Sequence, residues 1–252
     1  MTSDRATFPS RWDVRHVAET GSTNADLLTE ARLGAPAGRV LVADHQTAGR
    51  GRMGRRWEAP PGASLLVSVL LRPREGLALH GATQAVGLAA RSACTAVAGV
   101  TPDLKWPNDL LVGDRKVAGV LAEALADGGH VTAVVVGLGL NVNWPAELPP
   151  ELVGIMTSLN HVAGRSVDRA ALLDAFLRAL DHRVTQWEED PLALASDYRA
   201  TLASIGRIVT VDTPAGLRTG RVTDVTDDGT LLVLDGDDTL EVQAGDLVYA
   251  DG

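Results

Sequence analysis

Asp44-His45-Gln46-Thr47-Ala48-Gly49-Arg50-Gly51-Arg52-Met53-Gly54-Arg55-Arg56-Trp57 follows a short apolar run, Val40 to Ala43, that reads as a buried strand. Glycines alternate with arginines, so the backbone can bend sharply while the guanidinium groups share one loop. Four arginines within seven residues repel one another unless an anion lies among them. Phosphate or carboxylate oxygens would remove that repulsion and accept paired hydrogen bonds. Trp57 closes the run with a flat face suited to stacking. An anion-clamping loop, mobile when empty, is the expectation; a plain solvated loop or a nonspecific nucleic-acid contact is the alternative. The glycines fit neither established phosphate turn. No Lys-Ser/Thr pair follows them, and Gly54 comes one place early for G-x-G-x-x-G.

Outward from the loop, composition narrows the class. The chain has 252 residues, 45% hydrophobic and 22% charged, which suits one large domain or a large and a small one with an ordinary core. No apolar run approaches a membrane span and no signal pattern opens the chain, so a cytoplasmic protein with no membrane partner is expected. Cys94 is the single cysteine and lies in an alanine-rich helical pattern, which favours packing over catalysis. The net charge of −9 is uneven: from Ser204 onward there are ten acidic and three basic residues. That tail is a poor surface for nucleic acid, so any phosphate binds the front part.

In chain order, Arg11–Val17 reads as an edge strand. Ser22 or Thr23 caps a helix, with Asp26 completing a capping box and Leu27, Leu28 and Ala31 buried. Ser64–Leu71 is a strong strand, and Leu79–Ala98 a helix stopped by Gly99. Asp103–Val112 and Lys116–Glu123 read as two strands of a hairpin, and Val131–Val136 as another, ending in a Gly137-Leu138-Gly139 turn. One helix among at least five strands points to an α+β mixed sheet covered on one side. Asp168 caps a long amphipathic helix, and a second runs from Pro191 toward Leu202. From about Ile205, short β-rich runs alternate with turns such as Thr213-Pro214-Ala215-Gly216 and read as a small β-barrel.

Lys105-Trp106-Pro107-Asn108-Asp109 gathers a cation, an aromatic, an amide and a carboxylate at one strand end, where sites are commonly built. Lys116 needs a reason to be on the neighbouring strand if that strand is buried; a solvated edge lysine is the alternative. Asn141 offers donor and acceptor together, as reading a purine edge requires. Ser22-Thr23-Asn24 either caps its helix or holds a polar ligand group there.

Taken together, the chain resembles the biotin–protein ligases. The resemblance rests on Ser22-Thr23-Asn24, on Gln46 to Arg55 with Trp57, on Lys105-Trp106-Pro107-Asn108-Asp109, on Lys116 to Glu123, and on Gly137 to Asn141; Met156-Thr157-Ser158-Leu159 is a weaker landmark. It implies a class II synthetase-like catalytic domain over residues 1–203 and an SH3-like barrel over 204–252. It implies adenylation of biotin by ATP with Mg²⁺, then transfer to a lysine of a carboxyl-carrier domain. By the same likeness Ser22, Thr23, Asn24, Gln46, Gly49, Arg50, Arg52, Lys116 and Gly119 hold biotin. Arg52, Arg55, Trp57, Lys105, Asn108 and Asn141 address the nucleotide. Lys116, Arg50, Arg52 and Asp109 are the catalytic set, with Asp109 the candidate metal ligand. The family's repressors begin with a helix-turn-helix domain; here the catalytic pattern starts near Arg11, so the expectation is a short ligase that binds no DNA, as a monomer or weak homodimer. A lipoate-type ligase shares the architecture but lacks the Gly-Arg loop and the Lys-Trp-Pro-Asn-Asp run in this arrangement.

Overall fold

The run Ser64–Leu71 is buried at every position, so both faces of its sheet must be covered. The computed structural model describes residues 8–213 and 216–250. Within them, strands β1 (Asp13–Thr20), β2 (Arg39–Gln46), β3 (Ser64–Leu71), β4 (Asp103–Lys105), β5 (Asp109–Val112), β6 (Arg115–Asp127) and β7 (His130–Asn141) form one mixed sheet. Its order is β1-β2-β3-β7-β6-β5-β4. Only the β1–β2 pair is parallel among these seven strands. Helices α1 (Thr23–Arg32) and α2 (His80–Ala98) join the strands, and α3 (Leu159–Ala163), α4 (Arg169–Glu189) and α5 (Pro191–Arg199) follow them.

Alternation along the strands sends one set of side chains to each face. Val40, Val42, Leu65, Val67, Val69, Val134, Val136, Leu138 and Leu140 pack in a core with α2, α4 and α5. Leu41, Leu70, Ala133 and Val135 face α1 through Leu27, Leu28 and Ala31. The sheet is thus covered on both sides, where the sequence led us to expect one; a ten-residue helix reads as a connector until its partners are known. It covers only part of its face. Further along that face lie Gly137, Gly139 and Gly119, and there the sheet is open.

Three local expectations are corrected. Residues 103–112 are not one strand but β4 and β5, separated by a turn at Trp106-Pro107-Asn108 that holds a cis Trp106–Pro107 bond. Gly137-Leu138-Gly139 is no turn: both glycines pair inside β7, opposite Ser68 and Leu66 of β3. No capping box forms with Thr23, because Ser22 is the N-cap and Asp26 accepts instead from Thr20 Oγ1 at 2.5 Å. Asp168 does cap α4, accepting from the amides of Ala170 and Ala171 at 2.8 and 3.1 Å.

Strands β8 (Ile208–Thr213), β9 (Gly216–Val225), β10 (Leu231–Asp235), β11 (Asp238–Val242) and β12 (Leu247–Tyr249) form a second, antiparallel sheet of order β11-β10-β9-β8-β12. Val209, Val211, Val222, Val225, Leu231 and Val233 fill its core. Among the described residues no ladder joins β11 to β12. Pro214 and Ala215 of the expected turn lie outside the described residues. Trp106 Nε1 donates to Gly229 O at 2.9 Å, which ties this sheet to the β4–β5 turn, and Leu104 pairs with Leu202 in the segment that leads into β8. Among the described residues no helix is long and apolar enough to cross a membrane.

Candidate active site

The open stretch of sheet beyond α1 forms the floor of a cavity. Ser22, Thr23, Asn24 and Gln46 line it together, as do Arg50, Arg52, Arg55, Arg56, Trp57, Asn108, Asp109 and Lys116, with Arg50 sharing Glu123 with Asn24. Gly119, Gly137 and Gly139 line it too. Each glycine is there for space. A Cβ at Gly137 would fall 2.4 Å from Asn24 Oδ1, and one at Gly139 only 2.5 Å from the Trp57 ring. At Gly119 it would meet Lys116 Nζ at 3.1 Å and Trp57 at 3.2 Å. Gly49 is required for a different reason, since a Cβ there would sit 2.3 Å from the Trp57 carbonyl oxygen.

The polar set is a buried network. Thr23 N–H donates to Gln46 Oε1 at 2.8 Å, and the Thr23 hydroxyl meets Gln46 Oε1 at 3.0 Å and Ser68 Oγ at 2.7 Å. Ser68 donates to Asn24 Oδ1 at 2.6 Å, and Asn24 Nδ2 donates to Leu121 O and to Glu123 Oε2 at 3.1 and 2.9 Å. With its oxygen turned to the start of α1, Gln46 keeps its amide nitrogen as a donor. Ser68 and Glu123 were missed from the sequence. The signal for Ser68 was present: Ser64 and Ser68 keep period two within an otherwise apolar strand, so both lie on the face that carries the cavity.

The cationic set is built by the loop and by β5–β6. Gly51 N–H bonds Arg55 O at 2.7 Å and Trp57 N–H bonds Gly49 O at 3.0 Å, so the loop folds back on itself, with Met53 in the left-handed region at φ 54°. Lys116 Nζ lies 2.6 Å from Asp109 Oδ1 and 5.6 Å from the Trp57 ring centroid. Arg50 pairs with Glu123 at 3.1 Å, Arg56 with Glu58 at 3.4 Å and Arg55 with Asp246 at 2.5 Å. Arg52 donates to Asn108 Oδ1 and Gly245 O, both at 3.2 Å, and stands 3.6 Å from Asp246. The loop arginines are therefore not unpaired, contrary to the reading of the loop alone. Protein carboxylates hold them, and the one that holds two comes from the end of the chain.

Not every expected residue enters the cavity. Asn141 is buried beyond it, where its amide donates to Thr157 O at 3.2 Å and its oxygen accepts from Trp144 Nε1 at 3.1 Å. Asn108 lines the cavity, but its Nδ2 donates to Val120 O at 2.6 Å, so its free chemistry is spent on holding Arg52. Lys105 turns toward the second sheet and lies 4.7 Å from the Tyr249 ring centroid. Burial pulls its pKa down, nearby Asp109 opposes that, and Lys116 adds to it. Trp57 Nε1 is buried with no partner among the described residues, a donor that a ligand acceptor would satisfy. Cys94 is inert, with burial pushing its thiol up to about 12.

Known proteins resemble this chain in sequence and fold. The model for the biotin/lipoate A/B protein ligase family matches residues 19–141. Over 241 residues the chain is 41% identical to the biotin–[acetyl-CoA-carboxylase] ligase of Mycobacterium tuberculosis, which spans 92% of this chain and 87% of that one. It is 34% identical over 220 residues to the bifunctional ligase/repressor BirA of Bacillus subtilis, and spans 66% of that protein's length. The biotin protein ligase from Aquifex aeolicus, solved in complex with biotin and ATP, superposes with a TM-score of 0.81 at 29% identity, covering 94% of this chain and 97% of that one. On this similarity the chain belongs to the biotin–protein ligases, within the biotin/lipoate A/B protein ligase family.

Proposed function

We propose that the chain forms biotinyl-5′-adenylate from biotin and ATP and then transfers biotin to a lysine on the carboxyl-carrier domain of a biotin-dependent carboxylase. In the first step a carboxylate oxygen of biotin bonds to the α-phosphorus and the bond to pyrophosphate breaks. In the second, the lysine amine attacks the acyl carbon, AMP leaves, and the amine's proton passes to solvent. One observation carries the reading. A buried set of amide and hydroxyl groups shares one glycine-floored cavity with Lys116 and the loop arginines, with the Trp57 ring over the glycines.

The chemistry follows from that layout. Ser22, Thr23, Asn24 and Gln46 suit a neutral ureido ring, which needs donors and acceptors without charge. Glycines allow a flat ring to lie on the sheet. Lys116 stands between two anions, the biotin carboxylate and the α-phosphate, and offsets both their repulsion and the charge of the transition state. Arg50, Arg52 and Arg55 exchange protein carboxylates for phosphate oxygens, and Asn108 aims Arg52. Folding the loop over the site excludes water from a labile mixed anhydride.

Mg²⁺ is held by one or two carboxylates together with substrate phosphates, so Asp109, which lines the cavity, fits as its protein ligand. When bound, the ion would draw negative charge from the phosphoryl oxygens. In the same reading residues 1–203 form a class II synthetase-like catalytic domain, and residues 204–252 an SH3-like barrel whose Asp246 steadies the loop.

The test is pyrophosphate release with purified protein, ATP and either biotin or lipoate, followed by mass analysis of a carrier domain. Biotin-dependent release and one added biotin on the carrier are expected. Release with lipoate alone would overturn the reading.

A further inference from the structure

Only two lysines, Lys105 and Lys116, stand among the 23 basic residues of the chain. They are held in different ways. Lys116 has a carboxylate partner, Asp109. Lys105, half-buried at the end of β4, has the ring of Tyr249 from β12, with Nζ 4.7 Å from its centroid. The same ring takes the guanidinium of Arg207 at 4.0 Å, and Arg207 is paired with Asp114 at 3.2 Å. The Tyr249 hydroxyl lies 3.3 Å from Ser204 Oγ, which also accepts the Trp106 amide at 3.3 Å. The ring is thus tied at its edge to the backbone next to Lys105, while its face receives cations.

That difference has a chemical consequence. A carboxylate in direct contact occupies an ammonium, whereas an aromatic face attracts it and leaves its N–H groups open to a further anion; among the described residues no carboxylate forms a direct ion pair with Lys105, although Asp109, Asp246 and Asp114 act on it from farther off. Lys105 pairs with Asp109 across the β4–β5 ladder, so it adjoins the end of the cavity that holds Asp109 and Lys116. We propose that Tyr249 is a positioning residue for the nucleotide end of the site, its ring holding Lys105 out of any direct ion pair, with Asp109, Asp246 and Asp114 acting on it only from farther off, so that it can meet the phosphates of ATP. This rests on the proposed function. It gives the second sheet a part in ATP binding through a ring face, separate from the contact that Asp246 makes with the loop.

Two lysines make the test direct. Protein labelled with ¹³C-lysine gives two side-chain Cε signals, and Lys105→Arg assigns them. The Lys105 signal should show a ring-current shift that survives in Tyr249→Phe and disappears in Tyr249→Leu and Tyr249→Met. Mg-ATP should move that signal in the wild type and in Tyr249→Phe at equal concentrations. Tyr249→Leu or Tyr249→Met should need about tenfold more ATP, with biotin affinity by calorimetry unchanged within about twofold. Wild-type ATP affinity in both aliphatic variants would overturn the proposal. So would equal losses of ATP and biotin binding with a lower Tm, which mark a merely structural ring. A Lys105 signal that ignores ATP in a protein that releases pyrophosphate defeats the positioning role alone. An ATP-responsive signal in a protein that never releases pyrophosphate upholds it and defeats the functional reading.

Discussion

Asp246, on the last turn of the C-terminal sheet, holds Arg55 at 2.5 Å and stands 3.6 Å from Arg52, so one carboxylate bridges two cations of the glycine-arginine loop. The loop and this residue are nearly two hundred positions apart in sequence. On the proposed function, a triphosphate entering the site would compete with Asp246 for the same guanidinium groups, and the loop would pass from a protein anion to a ligand anion.

Asp246→Ala should therefore loosen the empty loop. Limited trypsin cleavage after Arg50 to Arg56 is expected to quicken severalfold in the variant, and biotin with ATP should restore protection in both proteins. Equal cleavage of the two ligand-free proteins would remove Asp246 from this role.

Lys116→Ala should separate the half-reactions. Loss of a charge aimed at the transition state costs on the order of 100- to 1000-fold in rate. Adenylation should fall by that much, and transfer from preformed biotinyl-adenylate far less. Lys116→Arg should rescue poorly, because a planar fork does not replace a compact ammonium 2.6 Å from Asp109. Single-turnover kinetics of each step on folded protein decide the matter; unchanged adenylation would leave the loop arginines as the main charge stabilisers.

Gly139→Ala tests the cavity floor. Its methyl would fall 2.5 Å from the Trp57 ring, so the ring must lift from the sheet. Biotin affinity measured by calorimetry should drop at least about tenfold, or about 1.4 kcal/mol, with little change in thermal midpoint. A variant that binds biotin like the wild type would show that Trp57 yields without consequence.

His80 predicts a pH effect on stability. Burial, with Arg52 nearby, lowers its pKa from 6.5 to about 4, against a smaller opposing pull from Asp228. Its Nε2 is buried without a hydrogen-bond partner among the described residues. Because the folded pKa lies below the unfolded one, the unfolded chain binds the proton more readily. There is no penalty above pH 6.5, and stability falls as pH drops from 6.5 to about 4. The loss is about 3 kcal/mol at most. Urea titrations at pH 7, 5.5 and 4.5 should show a shallower decline in His80→Gln than in the wild type.

Much of this was legible locally. The glycine-arginine run, Lys116 beside an apolar strand, the Ser22 cap and the Asp168 cap all announce themselves within a few residues, because capping, turn chemistry and charge crowding are short-range. The α1 helix was also legible, but not the face it covers: ten residues contain a buried stripe without saying what buries it. The placement of Asn141 outside the cavity was hidden for a related reason. Its residue type suits a purine edge, yet a neighbouring tryptophan and a backbone carbonyl claim both ends of the amide.

The sequence by itself determined the family and most of the longer helices and strands, since these depend on residue type and spacing along the chain. Only the tertiary structure decided that Gly119, Gly137 and Gly139 share one face as a floor. It alone joined Ser68 to Thr23 and Asn24, and brought Asp246 and Tyr249 to the loop and to Lys105. The physical reason is register. Alternation with period two tells which residues share a face of one strand, but how strands align across a sheet, and what then packs on that face, is set by pairing between segments far apart in the chain.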